Sequence, residues 1–136
     1  MKLLALFVSD FEYKPRHRTL DRADPDPEYA RAADVLVALV HAEPDDAQQS
    51  GKVVTRLVKN IKWCASKNQT RHVILHSFAH LSEVRASPDA AREMLDRAQV
   101  RLESAGYAVE QTPFGYLLDL SIKVPGLPFA RVFKSL

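Results

Sequence analysis

The chain has 136 residues, 46% of them hydrophobic and 26% charged, which is the balance of a globular domain and excludes a disordered or low-complexity segment. Nineteen Lys and Arg against 17 Asp and Glu leave a formal charge of +2, too little to coat a phosphate backbone, although local basic clusters can still meet nucleic acid. The single Cys64 excludes an internal disulfide and favours a reducing compartment, and no stretch approaches the roughly 20 apolar residues of a membrane span, so a cytoplasmic protein is expected.

A length of this order predicts one domain over residues 1–136 with one core. Leu3 to Val8 is a continuous apolar run and predicts a central strand. Ser9, Asp10 and Glu12 stand where a signal peptide would carry small cleavage-site residues. Phe11 and Tyr13, with the basic stretch Lys14-Pro15-Arg16-His17-Arg18, predict a second strand and loop. Asp24-Pro25-Asp26-Pro27 reads as a turn or flexible loop, because each proline fixes its own backbone and disfavours helix before it. Val35 to Val40 predicts a third strand, and Asp45 to Gly51 a solvated loop.

From Lys52 the period changes. Val54, Leu57, Val58, Ile61 and Ala65 share one helical face, while Lys52, Arg56, Lys59 and Lys62 fall mostly elsewhere, as on the exposed side of an amphipathic helix. Val73 to Leu75 predicts a strand running into His76-Ser77-Phe78-Ala79-His80. Ser87-Pro88-Asp89 is a helix start, since Ser caps, Pro suits the first turn and Asp complements the dipole. Ala91, Met94, Leu95, Ala98 and Leu102 then form a stripe that Gly106 ends. Tyr107 to Val109, Tyr116 to Val124 and Phe129 to Phe133 predict three more strands. The expected order is β-β-β-α-β-α-β-β-β, an α+β domain. Its two helices cover one sheet face and leave the other to loops, extra strands or a partner subunit.

Three segments in this order carry a resemblance: MKLLALFVSDFEY, then Val73-Ile74-Leu75-His76-Ser77-Phe78-Ala79-His80-Leu81-Ser82, then Thr112-Pro113-Phe114-Gly115-Tyr116 followed by Gly126-Leu127-Pro128-Phe129-Ala130. Together they resemble the N-terminal editing domain of archaeal threonyl-tRNA synthetases, which is similar in fold to D-aminoacyl-tRNA deacylases. The resemblance spans nearly the whole chain, with no synthetase core following. It fits either a separate factor or a piece of a longer enzyme.

The resemblance implies hydrolysis of the ester joining serine to threonine-specific tRNA. Such proofreading has a physical reason: serine lacks only one methyl of threonine, and a pocket resolves such a difference by about 1–3 kcal/mol. It further implies that the terminal adenosine's 2′-hydroxyl helps activate the attacking water, with no metal and no organic cofactor. The implied ligands are serine or seryl-adenosine at the 3′ end of the tRNA. The implied partners are a second copy of the chain and a threonyl-tRNA synthetase.

On the same ground His80 matches the family's active-site histidine. Its bland alternative is a histidine capping a helix start. Ser77, Phe78 and Ala79 would hold the amino acid through their backbone, a small Ala79 leaving room for it, although Phe78 reads more readily as plain core and Ala79 equally as plain packing. Phe114, Gly115 and Tyr116 form a turn that would border the adenosine, with Tyr116 either stacking on adenine or buried. The chain departs from the family at Leu117 and Leu118, where relatives carry Tyr-Lys with a catalytic-site Lys, and at Arg131, where they carry an acidic residue. Arg131 is therefore a candidate catalytic cation that has moved between strands, its alternative being a surface residue. Lys14, Arg16 and Arg18, with His17 and Arg22 beside them, are candidate tRNA contacts or a solvated loop.

His72, His76 and His80 make a poor metal set, because no Cys or carboxylate completes it. Cys64 shows no base for nucleophilic work. Two rivals stay open: a D-aminoacyl-tRNA deacylase, and a non-catalytic tRNA- or synthetase-binding module, for which the missing Lys is the best support.

Overall fold

The computed structural model describes residues 1–136. In chain order it contains β1 (Lys2–Val8), β2 (Asp10–Arg18), β3 (Ala30–Ala32), β4 (Val35–His41), α1 (Ser50–Lys67), β5 (His72–Ser77), α2 (Pro88–Ser104), β6 (Ala108–Gln111), β7 (Tyr116–Lys123) and β8 (Arg131–Ser135). The α+β order expected from the sequence is present, with one three-residue strand, β3, added to it.

Five strands form the main sheet in the order β6-β5-β4-β1-β8. The strands β4, β5 and β6 are parallel, and β1 runs antiparallel to both β4 and β8. The crossovers β4-α1-β5 and β5-α2-β6 step in the same direction across the sheet, so both helices lie on one face. The apolar stripe of α1, including Val54, Leu57 and Ile61, and that of α2, including Met94, Ala98 and Leu102, pack there on Leu3, Ala5, Leu36, Ala38, Val73 and Leu75. Ser87 caps α2 by accepting from the Ala90 N–H at 3.3 Å, with Pro88 in the first turn, and Gly106 past its end takes φ +92°.

A second sheet, β3-β2-β7, covers much of the other face. Phe11, Tyr13 and Ile122 from it meet Val8, Val35, Val37, Leu39 and Ile74. The bare face expected from two helices is thus narrowed by the chain's own strands. It stays open beside β1 and β8, where Leu4 and Leu6 are half-buried and Phe133 is exposed.

The segment expected as a solvated loop after β4 is instead a 3₁₀ turn, Pro44–Gln49, that leads directly into α1. Asp46 within it is buried. It accepts from the Glu43 N–H, which would otherwise be unpaired, and shares the α-amino group of Met1 with the Glu43 carboxylate.

Candidate active site

Ligands in open sheets with parallel strands settle at the strands' carboxyl ends, where loops diverge and backbone groups are left over. Here the ends of β4 and β5 open into a cavity of about 340 Å³. Val40, Ala42, Ala86 and Ala91 supply apolar floor, all of them small or medium side chains. Ser77, Ala79 and His80 form one wall, and Pro113, Phe114, Gly115 and Tyr116 form the opposite one. The two segments that the sequence singled out, more than thirty residues apart, therefore face each other across one hollow.

The loop after β5 is held in place by the end of β4. The Val40 carbonyl accepts from the Phe78 N–H at 2.9 Å, and the Ala42 carbonyl accepts from the Ala86 N–H at 2.9 Å. Between them, buried His41 accepts from the Leu81 N–H at Nδ1 (3.0 Å) and reaches the Val84 carbonyl through Nε2 at 2.7 Å. One neutral tautomer satisfies both bonds, because Nδ1 must accept and Nε2 must donate. Ser82 donates to Glu43, whose carboxyl is held down at about 2, chiefly by the hydrogen bond from the α-amino group of Met1. The loop is thus fixed on both sides of His80, while the N–H groups of Ala79 and His80 have no partner within the chain. Two unpaired donors beside a cavity are free to bind an oxygen-bearing ligand.

The opposite wall is locked by a strap, residues 19–24, whose last residue opens the Asp24–Pro27 segment expected to be a turn or flexible loop. Thr19 donates to the Gly115 carbonyl through both its N–H (2.8 Å) and its hydroxyl (3.0 Å). Asp24 accepts from the Phe114 N–H at 2.8 Å, its own N–H donates to the Phe114 carbonyl, and its carbonyl accepts from the Tyr116 hydroxyl at 2.8 Å. Arg92 completes the clamp at 2.6 Å from Asp24, with its guanidinium over the Phe114 ring. Tyr116 therefore lines the cavity and anchors the strap at once.

His80 is exposed on the cavity wall, and its ring meets Phe78 edge-on at 4.9 Å. Phe78 itself turns away from the cavity and packs on the second-sheet side against His76, so of its two sequence readings the core one describes its place. Buried His76 bonds Thr112 through Nδ1 at 2.7 Å, and burial, aided by His80, pushes its pKa down to about 4. His72 takes a separate partner, Glu110, at 2.8 Å.

A histidine held neutral by burial makes the fold acid-sensitive. Its folded value lies below the ordinary 6.5, so the unfolded chain binds the proton first. The stabilisation is full above pH 6.5 and is lost as pH falls through 4. It amounts to about 3 kcal/mol at one pKa unit per ~1.4 kcal/mol. Denaturant titrations of wild type and His76→Gln between pH 7 and 4 check this. The wild type should weaken across that window, and the variant should lose most of the slope. Equal slopes would contradict the assignment.

Arg131 does not reach the cavity within one copy of the chain. It pairs with Leu6 at the level of Val37, on a strand two places from β4, and donates to the Pro125 carbonyl at 3.2 Å. The cation on the cavity wall is Arg85, exposed and without a hydrogen-bond or ion-pair partner, which sequence reading missed because nothing in its own neighbourhood marks it. Leu117 also lines the cavity. Of the basic stretch, Lys14, Arg16 and Arg18 all lie exposed on β2 rather than in a loop. Arg16 is paired with Asp119, and Arg18 bends back to the Leu20 and Asp21 carbonyls opposite Tyr116, near the cavity mouth.

Comparison with known proteins matches residues 1–136 to the family described as the archaea-specific editing domain of threonyl-tRNA synthetase. Threonine–tRNA ligases of Thermococcus kodakarensis and Pyrococcus horikoshii are 29% and 30% identical over 139 residues, covering 100% of the chain. The chain spans 22% of the length of these relatives. Among solved structures, the c-Myc DNA unwinding element binding protein superposes with a TM-score of 0.70 at 12% identity, over 100% of this chain and 99% of that one. A probable eukaryotic D-amino acid tRNA deacylase superposes at 0.59 and 11% identity, over 98% and 97%. At such identities the structures establish a shared fold.

Proposed function

This chain belongs to the archaea-specific editing-domain family of threonyl-tRNA synthetase, and from that premise we propose that it is an aminoacyl-tRNA hydrolase that removes serine from threonine-specific tRNA. The observation that carries this reading is the cavity between Ala79-His80 and Phe114-Tyr116. It is larger than one amino acid, so it has room for the seryl group together with part of the terminal ribose. Rejection of threonine then rests on the fit beside Ala79, not on total volume.

In this reading the unpaired N–H groups of Ala79 and His80 hold the ester end of the substrate, and Ser77 borders the amino acid. Phe114, Gly115 and Tyr116 border the adenosine. Water is the nucleophile, assisted by the terminal 2′-hydroxyl. His80 hydrogen-bonds the ribose or ester, since no carboxylate is bonded to it to make a stronger base. Arg85 takes the cation's place left by Leu118, offsetting charge that develops on the ester oxygen. Arg131 stays outside this constellation, and Lys14, Arg16 and Arg18 contact the tRNA backbone from β2. Such work belongs where tRNA is charged, in the cytoplasm, beside a threonyl-tRNA synthetase.

The open face beside β1 and β8 supports pairing with a second copy. Leu4 and Phe133 are register partners there, and Leu120 of β7 faces the same side as Ile122. Sedimentation that gives a monomer at micromolar concentration would contradict the pairing.

The function is tested by incubating the protein with seryl- and threonyl-tRNA of the threonine acceptor type and following release of each amino acid. Serine should be released and threonine retained. Equal release of both indicates an unselective esterase, and faster release of a D-amino acid ester indicates the rival deacylase. Binding without any turnover, favoured by the lost Lys, indicates a non-catalytic module.

A further inference from the structure

A second cavity of about 500 Å³ adjoins the first, and the two share Leu20, Pro88 and Phe114 as a common wall. The rest of its lining is charged: Asp21, Arg22, Asp89 and Arg92. Arg92 is committed to Asp24, and its guanidinium lies over the Phe114 ring, 5.2 Å from its centre, which holds that wall in place. The side chains of Asp21, Arg22 and Asp89 are exposed and have no hydrogen-bond or ion-pair partner within the chain. Arg18 stands behind them, bonded to the Asp21 carbonyl.

With Arg92 paired to Asp24, the uncommitted charges of the lining are Asp21, Asp89 and Arg22, so the hollow is a poor site for a free polyanion. It suits a ligand with one negative charge and a hydrogen-bonding ring. Arg22, the one uncommitted cation of the lining, can meet a phosphodiester, a carboxylate accepts from the exocyclic amine of cytosine, and an Arg–aromatic wall lies along a base. With the adenosine beside Phe114, the preceding nucleotide of a single strand leaves past the same residue.

We propose that the second cavity is a subsite for the penultimate nucleotide of the acceptor end, the cytidine that precedes the terminal adenosine of tRNA. This rests on the editing reading. Arg22 meets the linking phosphate, the Asp21–Asp89 pair accepts from the cytosine amine, and the Arg92–Phe114 stack supports the base. The strap that closes the amino-acid cavity thereby also reads whether a real acceptor end is present.

The test is equilibrium binding of adenosine, the dinucleotide CpA and the dinucleotide UpA to wild type, Arg22→Glu and Asp89→Ala. Wild type should bind CpA roughly tenfold tighter than adenosine, within the range for one added stacked base. UpA should fall between them, because uracil lacks the amine. Both variants should bring the CpA-to-adenosine ratio toward one. An unchanged ratio in both variants, equal affinity of CpA and adenosine, or no binding of either overturns the proposal. Ester turnover is read separately in the release assay, so a chain that binds CpA as expected but hydrolyses nothing fails as an editor while the subsite stands.

Discussion

Replacing Gly115 with alanine is expected to reduce seryl-tRNA hydrolysis by about 100-fold or more, the order seen when catalytic geometry shifts by an ångström. Gly115 sits at φ +89°, a region that costs a residue bearing a Cβ about 1–2 kcal/mol. The added carbon would also lie 2.7 Å from the Ala23 Cβ and 2.9 Å from its Cα. Neither atom belongs to a flexible side-chain end, so the strap itself has to move. That strap supplies Thr19 and Leu20 to the cavity wall and is bonded through Asp24 to Phe114 and Tyr116. Strain and overpacking together should lower stability by about 2–5 kcal/mol, visible in a denaturant titration. Gly126→Ala is the control, since nothing lies within 4 Å of its added carbon. A Gly115→Ala protein with wild-type turnover would show that the strap does not shape the site.

His41→Leu should give the second large effect. Leucine fills much of the same buried volume but leaves the Leu81 N–H and the Val84 carbonyl without their partner. Each such loss costs about 1–3 kcal/mol when the group stays buried. The loop 78–86 would relax around it and carry the Ala79 and His80 N–H groups with it. Turnover is expected to fall about 10- to 100-fold, mainly in kcat, while tRNA affinity, set largely by phosphate contacts elsewhere, changes little. His41→Gln, which keeps a donor and an acceptor, should recover part of the loss. A drop confined to KM would argue that His41 serves binding and not placement.

The elements that could be read from the sequence are those whose evidence is local. The run 35–40 is apolar throughout because both faces of β4 are covered, the run 3–8 because β1 buries one face under the helices and half-buries the other, and the helix period of α1 follows from packing a single face. Ser87-Pro88-Asp89 marks the start of α2 through cap chemistry alone. By contrast, Ala30–Ala32 is too short to show alternation and is a strand only because β2 lies beside it. The turn 44–49 looked solvated because Asp46 is acidic, and its burial depends on the amino group at the other end of β1.

The candidate site divides the same way. Ser77 to His80 and Phe114 to Tyr116 were legible through their resemblance to a family, and the fold brings all but Phe78 to one cavity. Arg131 was misplaced in expectation because its position is decided by pairing with β1, some 125 residues upstream, and no local pattern reports that register. Asp24 and Arg85 were missed for a related reason. An Asp before a proline reads as turn chemistry, and a lone Arg before a helix cap reads as surface, until the strap and the β5 loop are folded against each other.

The proposed function depends on where the seryl ester sits. A crystal structure with a non-hydrolysable seryl-adenosine analogue decides it. The hydroxymethyl group should lie beside Ala79, the carbonyl oxygen on the main-chain N–H groups of Ala79 or His80, and the adenine against Phe114 and Tyr116. An analogue found at the β8 end near Arg131, or on the open sheet face around Phe133 with the cavity empty, would contradict it.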